Sequence, residues 1–412
     1  MMLKKILFTL VIYIYIFNPV LSLLPSIDLC TFLYPFIFFL TDRNYQHGFR
    51  KTKQLLSAWS VCVLFCLLRT LFGGEISYII VFASILIESI FLNYVLAIYA
   101  IRNNIDLIEI ALIAGTTAAL ISCLCLFSPA FDSFVRATQI EYSNVNTFKV
   151  FRAFGFAQSL NFEYGIVQGL ICGMGVLYIK EYKWYVLFIP FTILAILINA
   201  RTGLLVLAMV FAVKVIVERK IRIMVITCIM AVVVVTYYPL LSVFMPEDTY
   251  EWVEEFFLEV GDSLFGTNNS AYSSYETYNE MIHLPSGIFE WIAGSGFSAN
   301  DMQNKASDIG YVNQLLYGGL LFMIALFIFC YQFIKLNINN KYVKKGLLLF
   351  MALGLLLANF KGGALCSNGG SFRLFAIISF YYFYYSHSFL TKNKKPSFNE
   401  NEIVVRGRTV SY

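Results

Sequence analysis

WYVLFIPFTILAILINA (184–200), RTG (201–203) and LLVLAMVFAVKVIV (204–217) are two apolar runs that meet in the short turn Asn199-Ala200-Arg201-Thr202-Gly203. Lys180 and Lys183 precede the pair, and Arg219, Lys220 and Arg222 follow it. A helix needs roughly 20 mostly apolar residues to cross a ~30 Å hydrocarbon layer. The stretch therefore reads as two membrane spans, somewhat short, that leave and return to one basic face and hold Arg201 at the opposite boundary.

The rest of the chain has the same character. Of its 412 residues, 59% are hydrophobic, 17% aromatic and only 13% charged, and the mean hydropathy is +0.72. That leaves too little polar surface to cover a soluble globule. Further spans read near Lys5 to Leu23, Leu29 to Thr41, Leu55 to Phe72, Ile76 to Ile101, Ile105 to Phe127, Phe162 to Ile179, Ile223 to Phe244, Tyr311 to Ile334, Gly346 to Phe360 and Leu374 to Leu390. The expected fold is an all-α polytopic integral membrane protein with about 12 transmembrane helices.

Cytoplasmic loops carry an excess of Lys and Arg, and here alternate loops are basic. Lys4 and Lys5 open the chain on that side. Arg43, Arg50, Lys51 and Lys53 follow, then Arg102, Lys180 and Lys183, Arg219, Lys220 and Arg222, and Lys335, Lys341, Lys344 and Lys345. Both termini are thus expected to be cytoplasmic. The first span, without a small-residue cleavage site after it, reads as an uncleaved helix rather than a signal peptide. A single transmembrane domain over 1–390 is expected, with long outer loops at 128–161 and 245–310 and a basic cytoplasmic tail at 391–412.

The second outer loop is strongly acidic, with Glu247, Asp248, Glu251, Glu254, Glu255 and Glu259 at its start and Lys305 as its one lysine. Trp252, Phe256, Val260 and Leu264 recur at every fourth position, the spacing of one helix face. That helix either rests on the bundle or lipid boundary or closes as a lid over an outward cavity.

Several function classes are excluded. There is no phosphate-binding Gly-x-x-x-x-Gly-Lys-Ser/Thr loop, so no ATP-driven exporter. The acidic loop lacks an Asp-x-Asp pair and the histidines His47, His283 and His387 are scattered, so no metal or other cofactor is expected. The tail lacks aromatic interleaving and gives no support to nucleic-acid binding. The nine cysteines show no metal-ligand spacing and read as apolar packing.

The informative residues are basic ones on the outer side: Arg69, Arg136, Lys149, Arg152, Arg201, Lys305, Lys361 and Arg373. Arginine binds phosphate oxygens through a rigid fork of donors and keeps its charge. The plainer reading of each is an interfacial anchor that snorkels to headgroups. Glu88 stands deep inside a span, where a carboxylate is either functional or paired. Asp308 precedes an apolar run and reads either as a general base or as a helix cap. His283, the one histidine on the outer side, is the alternative base.

Three segments carry a family resemblance. Arg152-Ala-Phe-Gly155-Phe with Ser159-Leu-Asn161 resembles the Arg-x-x-Gly-Phe and Pro-Asn pattern of bacterial O-antigen polymerases and ligases, with Leu160 in place of the proline. Asn199-Ala-Arg201-Thr-Gly203 is similar to the Ser-Arg-Gly turn of those families. Gly294-Ser-Gly296-Phe, Ser307-Asp308-Ile-Gly310-Tyr311 and Gly318-Gly319-Leu320 resemble the segment that closes their large periplasmic loop. Ligases tend to carry a histidine where this chain has Asp308, which favours the polymerase.

The resemblance implies a GT-C-like glycosyltransferase at the periplasmic face of a bacterial inner membrane, working without metal on lipopolysaccharide or related surface polysaccharide. Donor and acceptor are oligosaccharide repeat units linked to undecaprenyl diphosphate, and a chain-length regulator protein is a further expected partner. Arg152, Arg201 and Asp308 take the catalytic roles: the arginines hold the leaving diphosphate and Asp308 takes the acceptor proton. Arg136, Asn161, Glu163, His283, Lys305, Tyr311, Lys361 and Arg373 are expected to bind substrate. Two other activities fit the same outline: an O-antigen ligase, and a flippase that moves lipid-linked repeats. Many transporters show repeated halves, and none is visible here.

Overall fold

A computed structural model describes residues 2–19, 52–139, 152–157, 161–218, 238–243, 245–265, 279–299, 307–367 and 369–392. Among them every element is helical, as backbone in hydrocarbon requires when its polar groups have no water to bond. The helices are α1 Met2–Phe17, α2 Lys53–Leu71, α3 Ser77–Arg102, α4 Leu107–Phe127, α5 Pro129–Thr138, α6 Asn161–Leu177 and α7 Lys183–Asn199. They continue as α8 Thr202–Glu218, α9 Glu247–Phe265, α10 Ile288–Ala293, α11 Gly310–Lys335, α12 Leu347–Lys361 and α13 Gly370–Lys392. Four of these, α2, α3, α4 and α11, are long and apolar enough to cross a membrane. The segment read from Leu29 to Thr41 lies outside the described residues. Of the segment from Ile223 to Phe244 only 238–243 is described, as a 3-10 helix.

Helix α6 is the centre of the bundle, packed against α4, α7, α8, α12 and α13. Its glycines at 165, 169 and 173 share one face, the small-residue spacing that lets helix backbones touch. A Cβ on Gly165 would stand 2.2 Å from the Ala200 carbonyl oxygen, and one on Gly203 would stand 2.1 Å from that of Gly165. The turn between α7 and α8 is thereby laid directly on the N-terminal end of α6.

Helix α11 is broken at Gly319, where φ is 62° and ψ −164°, a conformation open to glycine and strained for other residues. The freed carbonyls are taken up by a loop: Leu316 accepts from the Ser295 N–H at 2.7 Å and Tyr317 from the Gly296 N–H at 2.9 Å. Arg69 holds that loop from the other side, donating from Nη2 to the Gly294 carbonyl at 2.7 Å. The Gly-Ser-Gly and Gly-Gly pieces of the third sequence match thus meet in space, and Arg69 is committed to holding them together.

Helix α9 rests on the bundle. Its most buried residues are Thr249 and Val253, and Val253 joins a cluster with Leu126, Ala153, Leu197 and Ile198. The expected stripe through Trp252 and Phe256 flanks this contact line rather than forming its centre.

Candidate functional site

The site is organised by Asn199, the last residue of α7, which is completely buried. Its Nδ2 donates to the Ser122 hydroxyl and to the carbonyls of Ala153 and Ala195, each at 2.9 Å. Its Oδ1 accepts the Ala153 N–H at 2.9 Å. The Ser122 hydroxyl, from α4, also donates to the Ala153 carbonyl. A buried peptide group left without partners costs about 1–3 kcal/mol, so this double clamp fixes residue 153 against the α7–α8 turn. Arg152, one residue earlier, is brought beside Arg201, two residues after the clamp.

Other side chains hold the same segment. Arg136 of α5 pairs with Asp132 and donates to the Arg152 carbonyl at 3.2 Å. Gln139 donates to the Gly155 carbonyl at 2.6 Å, and Gly155 itself sits at φ 62°.

Trp252 of α9 lies over both arginines. The Arg201 guanidinium carbon is 3.8 Å from the indole ring centroid and that of Arg152 is 5.0 Å away; Phe256 adds a second ring 5.5 Å from Arg201. Cations over an indole face are attracted by the ring quadrupole, by about 0.5–2 kcal/mol depending on desolvation. Burial, and then the neighbouring Arg201 charge, bring the Arg152 guanidinium down to about 10, which leaves it protonated at neutral pH. Two half-buried cations gathered at one indole ring have the composition of a phosphate or diphosphate site.

A second charged group lies across α6. Glu163 and Gly165 are two residues apart, so they point to opposite sides of the helix: Gly165 toward the arginine turn, Glu163 into a cavity of about 400 Å³ that also holds Glu88 and Arg373. Glu88 sits in a π-helical stretch of α3, Ile85–Leu92, and forms an ion pair with Arg373. The acid inside the span is thus paired with Arg373.

The remaining predicted residues are spread out. Asp308 is exposed and among the described residues has no hydrogen-bonding or ionic partner. It does not cap α11: the residue at that position is Ile309, and the Ser307 hydroxyl accepts the Ile309 N–H at 3.2 Å. Tyr311 donates its hydroxyl to the Leu356 carbonyl at 2.9 Å and ties α11 to α12. Lys361 ends α12 and is half-buried, as is His283 in its loop. Asn161 begins α6, and Lys305 lies outside the described residues. The structure therefore brings together Arg152, Arg201 and Arg136 on one side of α6 and Glu163 with Arg373 on the other.

Two organising residues were missing from the predicted set. Asn199 carried a signal, an amide closing an apolar run where it must find partners. Trp252 carried a weaker one, an indole on an amphipathic stripe.

These features define a helical membrane protein with a paired-arginine site at one end of its bundle. No family model and no curated protein matches the chain.

Proposed function

We propose that this protein joins lipid-linked oligosaccharide repeat units into a surface polysaccharide at the periplasmic face of a bacterial inner membrane. One observation carries the reading: Arg152 and Arg201, from two separate sequence matches, converge under Trp252. In this reading the arginine end of the bundle faces outward, and the chain crosses the membrane about twelve times. The acceptor hydroxyl attacks the anomeric carbon of the donor, the bond from that carbon to the diphosphate oxygen breaks, and undecaprenyl diphosphate leaves with the bonding pair. The developing negative charge falls to Arg152 and Arg201, whose fixed position spares reorganisation in the transition state. The acceptor proton passes to water; Asp308, exposed but not placed beside the arginines, is the carboxylate the sequence offers to receive it.

The test is direct. The full-length protein in lipid vesicles is supplied with an undecaprenyl-diphosphate-linked repeat, and the product is resolved by size. The reading requires a ladder with wild type that is lost with Arg152→Ala and with Arg201→Ala. Transfer of a single repeat to a core lipid would mean a ligase. Movement of repeats across the bilayer without joining would mean a flippase, the reading that an ion pair inside the bundle favours.

A further inference from the structure

Helix α10, in the second outer loop, leaves large apolar side chains uncovered. Ile288 is 82% exposed and Phe289 72%, and Leu284, Trp291, Ile292 and Phe297 are exposed as well. Across 281–299 the titratable side chains are His283, which is half-buried, and Glu290, whose carboxylate accepts the Ser286 N–H at 2.9 Å and the Ser286 hydroxyl at 2.8 Å. The backbone that follows α10 is satisfied inside the protein. The Ser295 and Gly296 N–H groups bond the carbonyls freed by the break in α11, the Gly294 carbonyl accepts from Arg69, and the Gly296 carbonyl accepts the Glu75 N–H at 2.9 Å. The Ser298 hydroxyl adds a bond to the Glu75 carboxylate at 3.2 Å. Backbone groups answered by protein, with apolar side chains left outside, is what hydrocarbon requires of an irregular segment and water does not.

The height of α10 in the bundle points the same way. A Cβ on Gly319 would stand 2.5 Å from the Ile292 carbonyl carbon, so α10 lies against the break in α11. At ~1.5 Å of rise per residue that break is about 14 Å below the Gly310 end of the helix. The loop after α10 also bonds Glu75, in the turn between α2 and α3, two helices of membrane-crossing length. A turn between two spans stands at a membrane boundary, so α10 is level with that boundary and not on top of the bundle. Leu71, 80% exposed, and Phe72, 83% exposed, close α2 there, and Ile76 is exposed just before α3. Both sides of the contact thus show apolar side chains outward. The boundary is the one nearer the arginine pair: a Cβ on Gly310 would run into Gly362, one on Gly362 into Phe162 at the start of α6, and one on Gly165, a turn further on, into Ala200.

We propose that α10 is an interfacial helix, seated through Ile288, Phe289, Trp291 and Ile292 in the leaflet on the arginine side, and that its partner is the phospholipid bilayer itself. An exposed apolar patch marks a partner, and continuity with the sides of two spans makes that partner lipid. An indole suits the level, because Trp gathers where its ring is in apolar surroundings and its N–H is wet. The second outer loop is then pinned to the membrane surface at α10, through the same contact that holds the break in α11. This seating goes beyond the reaction proposed above and stands whichever reaction the arginine site performs.

The experiment uses the full-length protein in nanodiscs of phosphatidylcholine, either plain or brominated near the headgroup end of its acyl chains. The fluorescence that Trp291→Phe removes is the Trp291 signal; phenylalanine keeps an apolar ring at the position. Brominated lipid should quench most of that signal, and iodide in the water should leave it nearly unchanged. Ile288→Asp combined with Phe289→Asp places two charges where acyl chains reject them, and should reverse the pattern, with lipid quenching lost and iodide quenching gained. Quenching of the unsubstituted protein by iodide and not by brominated lipid would put α10 in water and overturn the proposal. Protection from both quenchers would put protein over α10, either another segment or a second copy, and overturn it as well. Unchanged lipid quenching in the double variant would overturn it too, because the seat would not depend on these side chains.

Discussion

Arg201 stands 3.8 Å from the Trp252 ring on the short turn between α7 and α8, so its substitution separates an anion ligand from a headgroup anchor. Losing a charge-assisted contact costs about 1.5–3 kcal/mol, roughly tenfold to a hundredfold in rate. Arg201→Ala should shorten or abolish polymer by that factor at matched membrane levels. Arg201→Lys should recover only part of it, because lysine keeps the charge and loses the fork. An anchor would tolerate lysine fully, so full-length polymer from both variants would remove Arg201 from the site. Asn199 makes a different prediction. Asn199→Ala strands the Ala153 N–H and leaves the Ala153 carbonyl with Ser122 alone of its two side-chain donors. It should lower the unfolding temperature of the detergent-purified protein by several degrees, from a loss of about 1–3 kcal/mol. An unchanged melting temperature would mean that the clamp does not hold Arg152 in place.

Helix α6 sets the distance between the arginine turn and the rest of the bundle through Gly165. Gly165→Leu forces side-chain atoms into the Ala200 backbone and should prevent stable accumulation in the membrane, measured as full-length protein that survives extraction and gel filtration. Gly261, in α9, is the control: a Cβ there meets nothing within 4 Å. Gly261→Ala should be neutral or stabilising, by up to about 1 kcal/mol, because alanine is the better helix former. Equal behaviour of the two variants would contradict the close crossing of α6 and α8. The four helices of membrane-crossing length were legible in the sequence because an apolar run of span length is a local signal. The amphipathic helix at Glu247–Phe265 was legible from another local signal, apolar residues at every fourth position. The Gly165-x-x-x-Gly169-x-x-x-Gly173 face could have been read and was not. What no local pattern carried was the partnering: Asn199 with Ala153, Trp252 with two arginines, Glu88 with Arg373, and Gly294–Gly296 with the break at Gly319. Each joins residues far apart in the chain, so only the packed bundle reveals it.

At the scale of the whole molecule, the account depends on which side of the membrane the arginine end faces. Reporters fused after Val145 and Asn269 should read as outside, and those after Lys53, Lys220 and Lys344 as inside, from the alternation of basic loops. An inside signal at Asn269 would put the paired arginines in a compartment where no periplasmic polymerisation occurs. The most direct test of the central claim is the surface glycan of a strain that lacks this protein, resolved by size. The account predicts lipid carrying one repeat unit and no ladder, restored by the wild-type gene and not by Arg201→Ala. A core lipid with no repeat at all, or repeats accumulated on the cytoplasmic leaflet, would contradict it.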